Sequence, residues 1–319
     1  MTKIALLIIY NHRYDKNIQR LDALYAGKFS NIYHIMPFYD GDKENVIPVY
    51  ASSYHFQSYI AQAYQHLKGK GYTHYFIIAD DMIINPAINE NNLFDKTGIG
   101  QAQSYIHDIR EIYNCYVVQH VNNMRKYRVE VKGVEVEKIL PNKQEAEKLF
   151  QAHHLRTGDL TTGYLFKLTR YAFMAKMLRK LIPTLFDIVF HRVKIHYPLL
   201  WGYSDILLLP AGIMNKFATY CGAFAATGLF VEYAIPTSLV FSAEDIITDK
   251  EIKMHGVTQI YPRKYLNAKI HSYAFEEYRP LCWEKEKLIK EHKYSLHHLL
   301  TNFPKDIFFI HPLKLSKWE

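Results

Sequence analysis

An α/β fold with a mostly parallel sheet flanked by helices is the class this sequence predicts, and three observations predict it. The first eighty residues alternate apolar runs and amphipathic segments in the order β-α-β-β-α-β. The apolar runs are continuous, as in strands covered on both faces. The intervening segments are long enough to be crossover helices, which join parallel strands in a right-handed sense.

Each element has its own reason. Lys3–Tyr10 (KIALLIIY) reads as a buried strand. Asp15 or Asn17 can cap the next helix, with Ile18, Leu21, Leu24 and Tyr25 on one face and Gly27 at its end. Asn31–Phe38 and Val46–Tyr50 are the second and third strands. Ser52 or Ser53 caps a helix with Phe56, Tyr59, Ile60, Ala63, Tyr64 and Leu67 at helical spacing, closed by Gly69 and Gly71. His74–Ala79 is the next strand and runs into Asp80-Asp81. Further on, 114–121 reads as a strand, and alternating valines around Lys132-Gly133 as a hairpin. Asn142 and Glu145 have capping-box spacing. Tyr171–Leu181 is a basic amphipathic helix carrying Lys176, Arg179 and Lys180, a face that suits solvent or an anionic membrane. Residues 250–300 read as surface helices and loops, and Ile307–Ile310 as a terminal strand. The chain divides into residues 1–125, a ligand-binding half, and 126–319, a second half whose last segment returns to the first.

With 319 residues, 49% apolar and 22% charged, the chain is globular. Its net charge of +8 favours phosphate-bearing or acidic partners. The basic residues are scattered and zinc-finger spacing is absent, so nucleic acid is not expected as a partner. Three distant cysteines, Cys115, Cys221 and Cys282, and no signal-peptide pattern point to a reducing cytoplasm. Phe217 to Val231 is uncharged over fifteen residues, short of the ~20 that span a bilayer. It is expected as buried core.

Ligands of open parallel sheets bind at the carboxyl ends of the strands. Two polar clusters fall there: Tyr10-Asn11-His12-Arg13 and Asp80-Asp81. Adjacent carboxylates at the end of a core strand repel each other, and burial raises the cost. A divalent cation with oxygen ligands explains their presence. At the other end of the chain, His311 follows an apolar strand and precedes Lys314, Lys317 and Trp318. An imidazole can be a third ligand, a set that suits Mn²⁺ better than Mg²⁺. The two lysines can neutralise a diphosphate. Tyr10 can stack on a base, Asn11 and His12 can hydrogen-bond, and Arg13 can meet phosphate. Ser52-Ser53-Tyr54-His55 at a helix start can lie near a nucleotide, and Arg156–Asp159 with Thr161–Tyr164 forms a polar loop that suits solvent or the acceptor side. Glu232 is a lone acid in an apolar stretch, and Asp205 follows Tyr203-Ser204. Burial raises such a carboxyl and suits it to take a proton from a hydroxyl.

Ala79-Asp80-Asp81-Met82 and His311-Pro312-Leu313-Lys314-Leu315-Ser316-Lys317-Trp318 together resemble the GT-A fold glycosyltransferases. The C-terminal part is similar to that of bacterial lipopolysaccharide galactosyl- and glucosyltransferases. The resemblance covers about the first 100 residues and the last ten. Its adjacent acids depart from the strict Asp-x-Asp spacing. It implies a Rossmann-like nucleotide-binding half, with Mn²⁺ or Mg²⁺ held by Asp80, Asp81 and His311. It also implies a nucleoside-diphosphate sugar donor, UDP-linked first, contacted by Tyr10, Asn11, His12, Arg13, Asp80, Lys314 and Lys317. Glu232 or Asp205 would serve a glycan or glycolipid acceptor, in surface polysaccharide or lipooligosaccharide synthesis at the inner face of the cell membrane. Two alternatives stand beside it. One is a sugar-1-phosphate nucleotidyltransferase, against which the glycine-free Tyr10–Arg13 counts. The other is a non-catalytic nucleotide- or glycan-binding protein of the same fold.

Overall fold

Strand β1 (Ile4–Ile9) is buried at every position, and so is β4 (His74–Ala79). Each is a continuous apolar run covered on both faces. The side-chain period of two then assigns the faces. Ile4, Leu6 and Ile8, with Phe76 and Ile78, share a core with Ile18, Leu21 and Tyr25 of α1 (Lys16–Tyr25). Ala5, Leu7 and Ile9, with Tyr75 and Ile77, pack on α2 (Gln57–Leu67). The even positions of these strands therefore look towards α1 and the odd ones towards α2.

The computed structural model describes residues 2–114, 118–160, 195–258 and 273–318. A seven-stranded sheet runs β3-β2-β1-β4-β7-β6-β8. Its members beyond β1 and β4 are β2 (Asn31–Pro37), β3 (Val46–Val49), β6 (Ser104–Glu111), β7 (Leu200–Pro210) and β8 (Ile246–Ile247). Four pairings are parallel, and only β7 runs against its neighbours. The expected mostly parallel α/β sheet is what forms. Strands β7 and β8 come from the second half of the chain, so a boundary near residue 125 does not separate two sheets. Gly202 of β7 is obligatory, because a Cβ there would meet the Asp108 carbonyl oxygen at 2.2 Å. A smaller sheet orders β5 (Ile83–Ile84), β10 (Ile307–His311) and β9 (His255–Thr258), with β10 central.

Helices α3 (Leu93–Thr97), α4 (Val118–Lys126) and α5 (Lys143–Ala152) complete the middle of the chain. Of the strand expected over 114–121, residues 115–117 lie outside the described residues; Val118 onward is helical instead, and Val121 and Met124 bury one side of that helix. Asn142 and Glu145 form the full capping box. The valine hairpin is reduced to one bridge, Val131 to Val134. The uncharged block Phe217–Val231 falls in α6 (Ala211–Ala226) and the start of α7 (Val231–Ser242), both packed on the sheet. Among the described residues no helix is long and apolar enough to cross a membrane. The basic helix expected at Tyr171–Leu181 and the loop Thr161–Tyr164 lie outside the described residues. Helices α8 (Tyr273–His292) and α9 (Leu296–Thr301) precede β10. The region read as surface also contains β9, whose Val257 is fully buried.

Candidate functional site

The strand order reverses between β1 and β4: β2 and β3 lie to one side of β1, and β4 to the other. That is the topological switch point of an open α/β sheet, where a crevice opens at the carboxyl ends. Asp80 and Asp81 follow β4 at this crevice, and Asn11 follows β1. Because β7 is antiparallel, its first half lies at the same edge and brings Tyr203, Ser204 and Asp205 there. Asn11, Phe56, Ala79, Ser204 and Asp205 line one recess.

Asp80 continues the even positions of β4 towards α1. There Asn17 Nδ2 donates to Asp80 Oδ2 at 3.2 Å. Asn17 therefore does not cap its helix. The N-cap is Asp15, whose side chain makes no cap bond and pairs with Arg13 instead. Burial, then the charge of Asp81, pushes the Asp80 carboxyl up to about 7 against the Asn17 hydrogen bond. Asn17 Oδ1 is buried and makes no hydrogen bond among the described residues.

Asp81 turns the other way, to the small sheet. His311 Nε2 lies 2.8 Å from Asp81 Oδ1, across 230 positions of sequence. The Leu313 N–H donates to the Asp81 carbonyl at 2.6 Å. Burial works against the charges of both side chains. Their mutual attraction outweighs it, holding the Asp81 carboxyl below and the His311 imidazole above their ordinary values. The other ring nitrogen, Nδ1, meets the Tyr203 hydroxyl. Tyr203 stacks on Phe309 and stands edge-on to His107, and His107 Nδ1 lies 2.9 Å from Asp249 Oδ2. His311 thus stands between Asp81 and Tyr203, which brings together two of the residues expected as metal ligands, Asp81 and His311.

The C-terminal loop is docked. Trp318 is 6% exposed and packs against Tyr294 at 5.6 Å, and Arg20 donates to the Leu315 carbonyl at 2.8 Å. Lys314 and Lys317 remain exposed. Sequence reasoning missed Lys285 of α8, which is 3% exposed. Burial lowers its ammonium to about 8, against the attraction of Asp81. The signal was there: Lys285 sits in a buried helical stripe with Cys282 and Leu288.

Asp205 and Glu232 are brought together. Burial raises the Asp205 carboxyl, and burial, then Asp205, pushes Glu232 up to about 7. Glu232 lies in the first turn of α7, where the helix dipole favours a negative charge.

The Tyr10–Arg13 cluster is split. Tyr10 is fully buried and bonds His34 Nδ1 at 2.8 Å, with His34 Nε2 2.8 Å from Asp22. It offers no face to a base, so the stacking expectation fails for it. Asn11 and His12 are exposed at the edge. Arg13 is committed to Asp15 at 2.9 Å and Asp40 at 2.6 Å, a pairing that leaves little charge for phosphate. Arg156 is likewise held by Glu111 at 2.8 Å.

Among the described residues no three of His, Cys, Asp or Glu stand arranged to hold a metal ion. The donor chemistry nevertheless fits a hard cation. Asp80, Asp81 and Asp205 lie within electrostatic reach of His311, Glu232 lies within reach of Asp205, two of the carboxyls are pushed up to about 7, and the Asn17 oxygen is orphaned. No protein-family model, curated protein or solved structure matches the chain.

Proposed function

We propose that this protein is a divalent-metal-dependent glycosyltransferase of the GT-A type, moving a sugar from a nucleoside diphosphate to a glycan or glycolipid hydroxyl. One observation carries the reading. An acidic pair at the switch-point crevice is joined, through Asp81 and His311, to a basic loop from the far end of the chain.

Asp80 and Asp81 are the oxygen donors for Mn²⁺ or Mg²⁺, and His311 orients Asp81. The cation supplies Lewis-acid neutralisation of the donor diphosphate. Lys314 and Lys317 extend from the docked loop to meet the departing charge, with Lys285 behind them. Asn11 and His12 lie where the nucleoside would sit. In an inverting displacement Glu232, with its carboxyl near 7, takes the proton of the acceptor hydroxyl. The acceptor oxygen then bonds the anomeric carbon as the carbon–oxygen bond to the diphosphate breaks.

The cytoplasmic face of a membrane, where lipid-linked acceptors reside, is the proposed place of action. The test is hydrolysis and transfer from UDP-, GDP- and CDP-sugars with Mn²⁺, Mg²⁺ or chelator. Turnover that requires the metal and is lost in Asp81→Ala supports the reading. Chelator-resistant turnover, or none with any donor, overturns it. Release of pyrophosphate from a nucleoside triphosphate would assign the nucleotidyltransferase alternative.

A further inference from the structure

Tyr54 is 67% exposed, although its surroundings hold it in a fixed place. It lies in the turn Ser53–His55 between β3 and α2, where Ser52 Oγ accepts from the Tyr54 N–H at 3.3 Å. Its ring meets that of Phe230 at 5.8 Å, tilted by 48°, and Phe230 meets Tyr233 at 5.6 Å. The two segments are distant in sequence, and a buried hydrogen bond ties them: Gln57 Nε2 donates to the Leu229 carbonyl at 2.7 Å. The aromatic pair is thus assembled before any ligand arrives, which removes an ordering cost from binding.

Its neighbours say what would bind. Phe230 immediately precedes α7, whose first turn carries Glu232. Phe56, two residues beyond Tyr54, lines the recess that contains Asp205. Both segments of the platform therefore lead to carboxyl groups, Asp205 in the recess and Glu232 in the first turn of α7, and carboxylates accept hydrogen bonds from hydroxyls. An aromatic face beside carboxylate acceptors matches a pyranose: C–H groups on one side, hydroxyls at the rim.

We propose that Tyr54, seated on Phe230, is the stacking platform for a pyranose ring of a neutral saccharide acceptor, its hydroxyls turned to Glu232 and Asp205. The assignment of that sugar as acceptor rests on the glycosyltransferase reading.

The experiment is saturation-transfer NMR on the full chain, irradiating aromatic protons, with methyl β-D-galactopyranoside and methyl α-D-glucopyranoside as probes. Wild type is expected to saturate ring C–H protons of at least one glycoside. Tyr54→Ala is expected to weaken binding about tenfold, the scale of one aromatic contact, and Tyr54→Trp to keep it. Tyr50→Ala, at an equally exposed tyrosine that pairs with Phe38 instead, should keep it too. Equal signals in wild type and Tyr54→Ala, or none from either glycoside in wild type, overturn the platform. Saturation of UDP base protons lost in Tyr54→Ala would give the pair to the donor and also overturn it. Glycoside saturation in a protein that binds no nucleotide would keep the platform and sink the glycosyltransferase reading. Nucleotide binding without glycoside saturation would do the reverse.

Discussion

The two sheets end in opposite charges. The seven-stranded sheet brings acids to its edge: Asp80 and Asp81 from β4, and Asp205 from β7. The three-stranded sheet brings bases: β10 delivers His311, then Lys314 and Lys317, and α8 packs Lys285 beside it. Asp81 and His311 are where they meet, at 2.8 Å. The difference is one of sequence range. The acidic side is built mostly from consecutive crossovers, whereas the basic side must return across 230 positions. The contrast continues between the two neighbouring acids. Asp80 has chiefly the Asn17 amide against burial and the charge of Asp81 and is pushed up to about 7, while Asp81 has His311 and is held low.

Removing Asp81 breaks the meeting point and should have the largest effect. Asp81→Ala leaves His311 buried beside Lys285 without its carboxylate. We expect loss of metal-dependent turnover and about 3 kcal/mol of stability, as for other buried pairs cut on one side. Chemical denaturation measures the second. Trp318→Ala undocks the basic loop and should cost about 3 kcal/mol, by the usual penalty for a buried Trp. Metal-dependent nucleotide affinity should fall with it. If affinity survives, the loop does not contribute to the site.

Asp80→Asn sharpens the contrast between the acids through pH. The Asp80 carboxyl titrates near 3.8 in the unfolded chain and about 7 in the folded one. Between those values the folded protein holds a proton that the unfolded chain has released, so stability falls as pH rises. Asp80→Asn should flatten that decline while abolishing the response to Mn²⁺. Urea midpoints measured across this window in metal-free buffer are the check, and an unchanged slope would contradict the placement of Asp80. The smallest effect is expected far from both sheet ends. Asn142→Ala loses the capping box of α5, about 1 kcal/mol, with turnover unchanged.

What the sequence showed follows the same division. Strands β1 to β4, helices α1 and α2, the Asn142 cap and the terminal strand could be read because their signals are local: period, caps and glycine stops. The strand reading of 114–121 fails from Val118 onward, where the helical spacing of Val121 and Met124 prevails. The antiparallel β7 went unread, and with it the role of Tyr203. Asn17 looked like a cap because its amide partner lies on another element. Lys285 showed only as a charge in an apolar stripe. Resemblance pointed to His311, whose pairing with Asp81 and Tyr203 is tertiary and leaves no local signal in the sequence.

The central claim is that the two sheet ends form one cation-dependent nucleotide site. Isothermal titration of UDP, GDP and CDP into the full-length chain, with Mn²⁺ and then with chelator, tests it most directly. At least one nucleotide should bind with Mn²⁺ and lose that affinity both with chelator and in His311→Ala. Nucleotide binding that is indifferent to chelator and to His311→Ala, or no binding by any of the three, would contradict it.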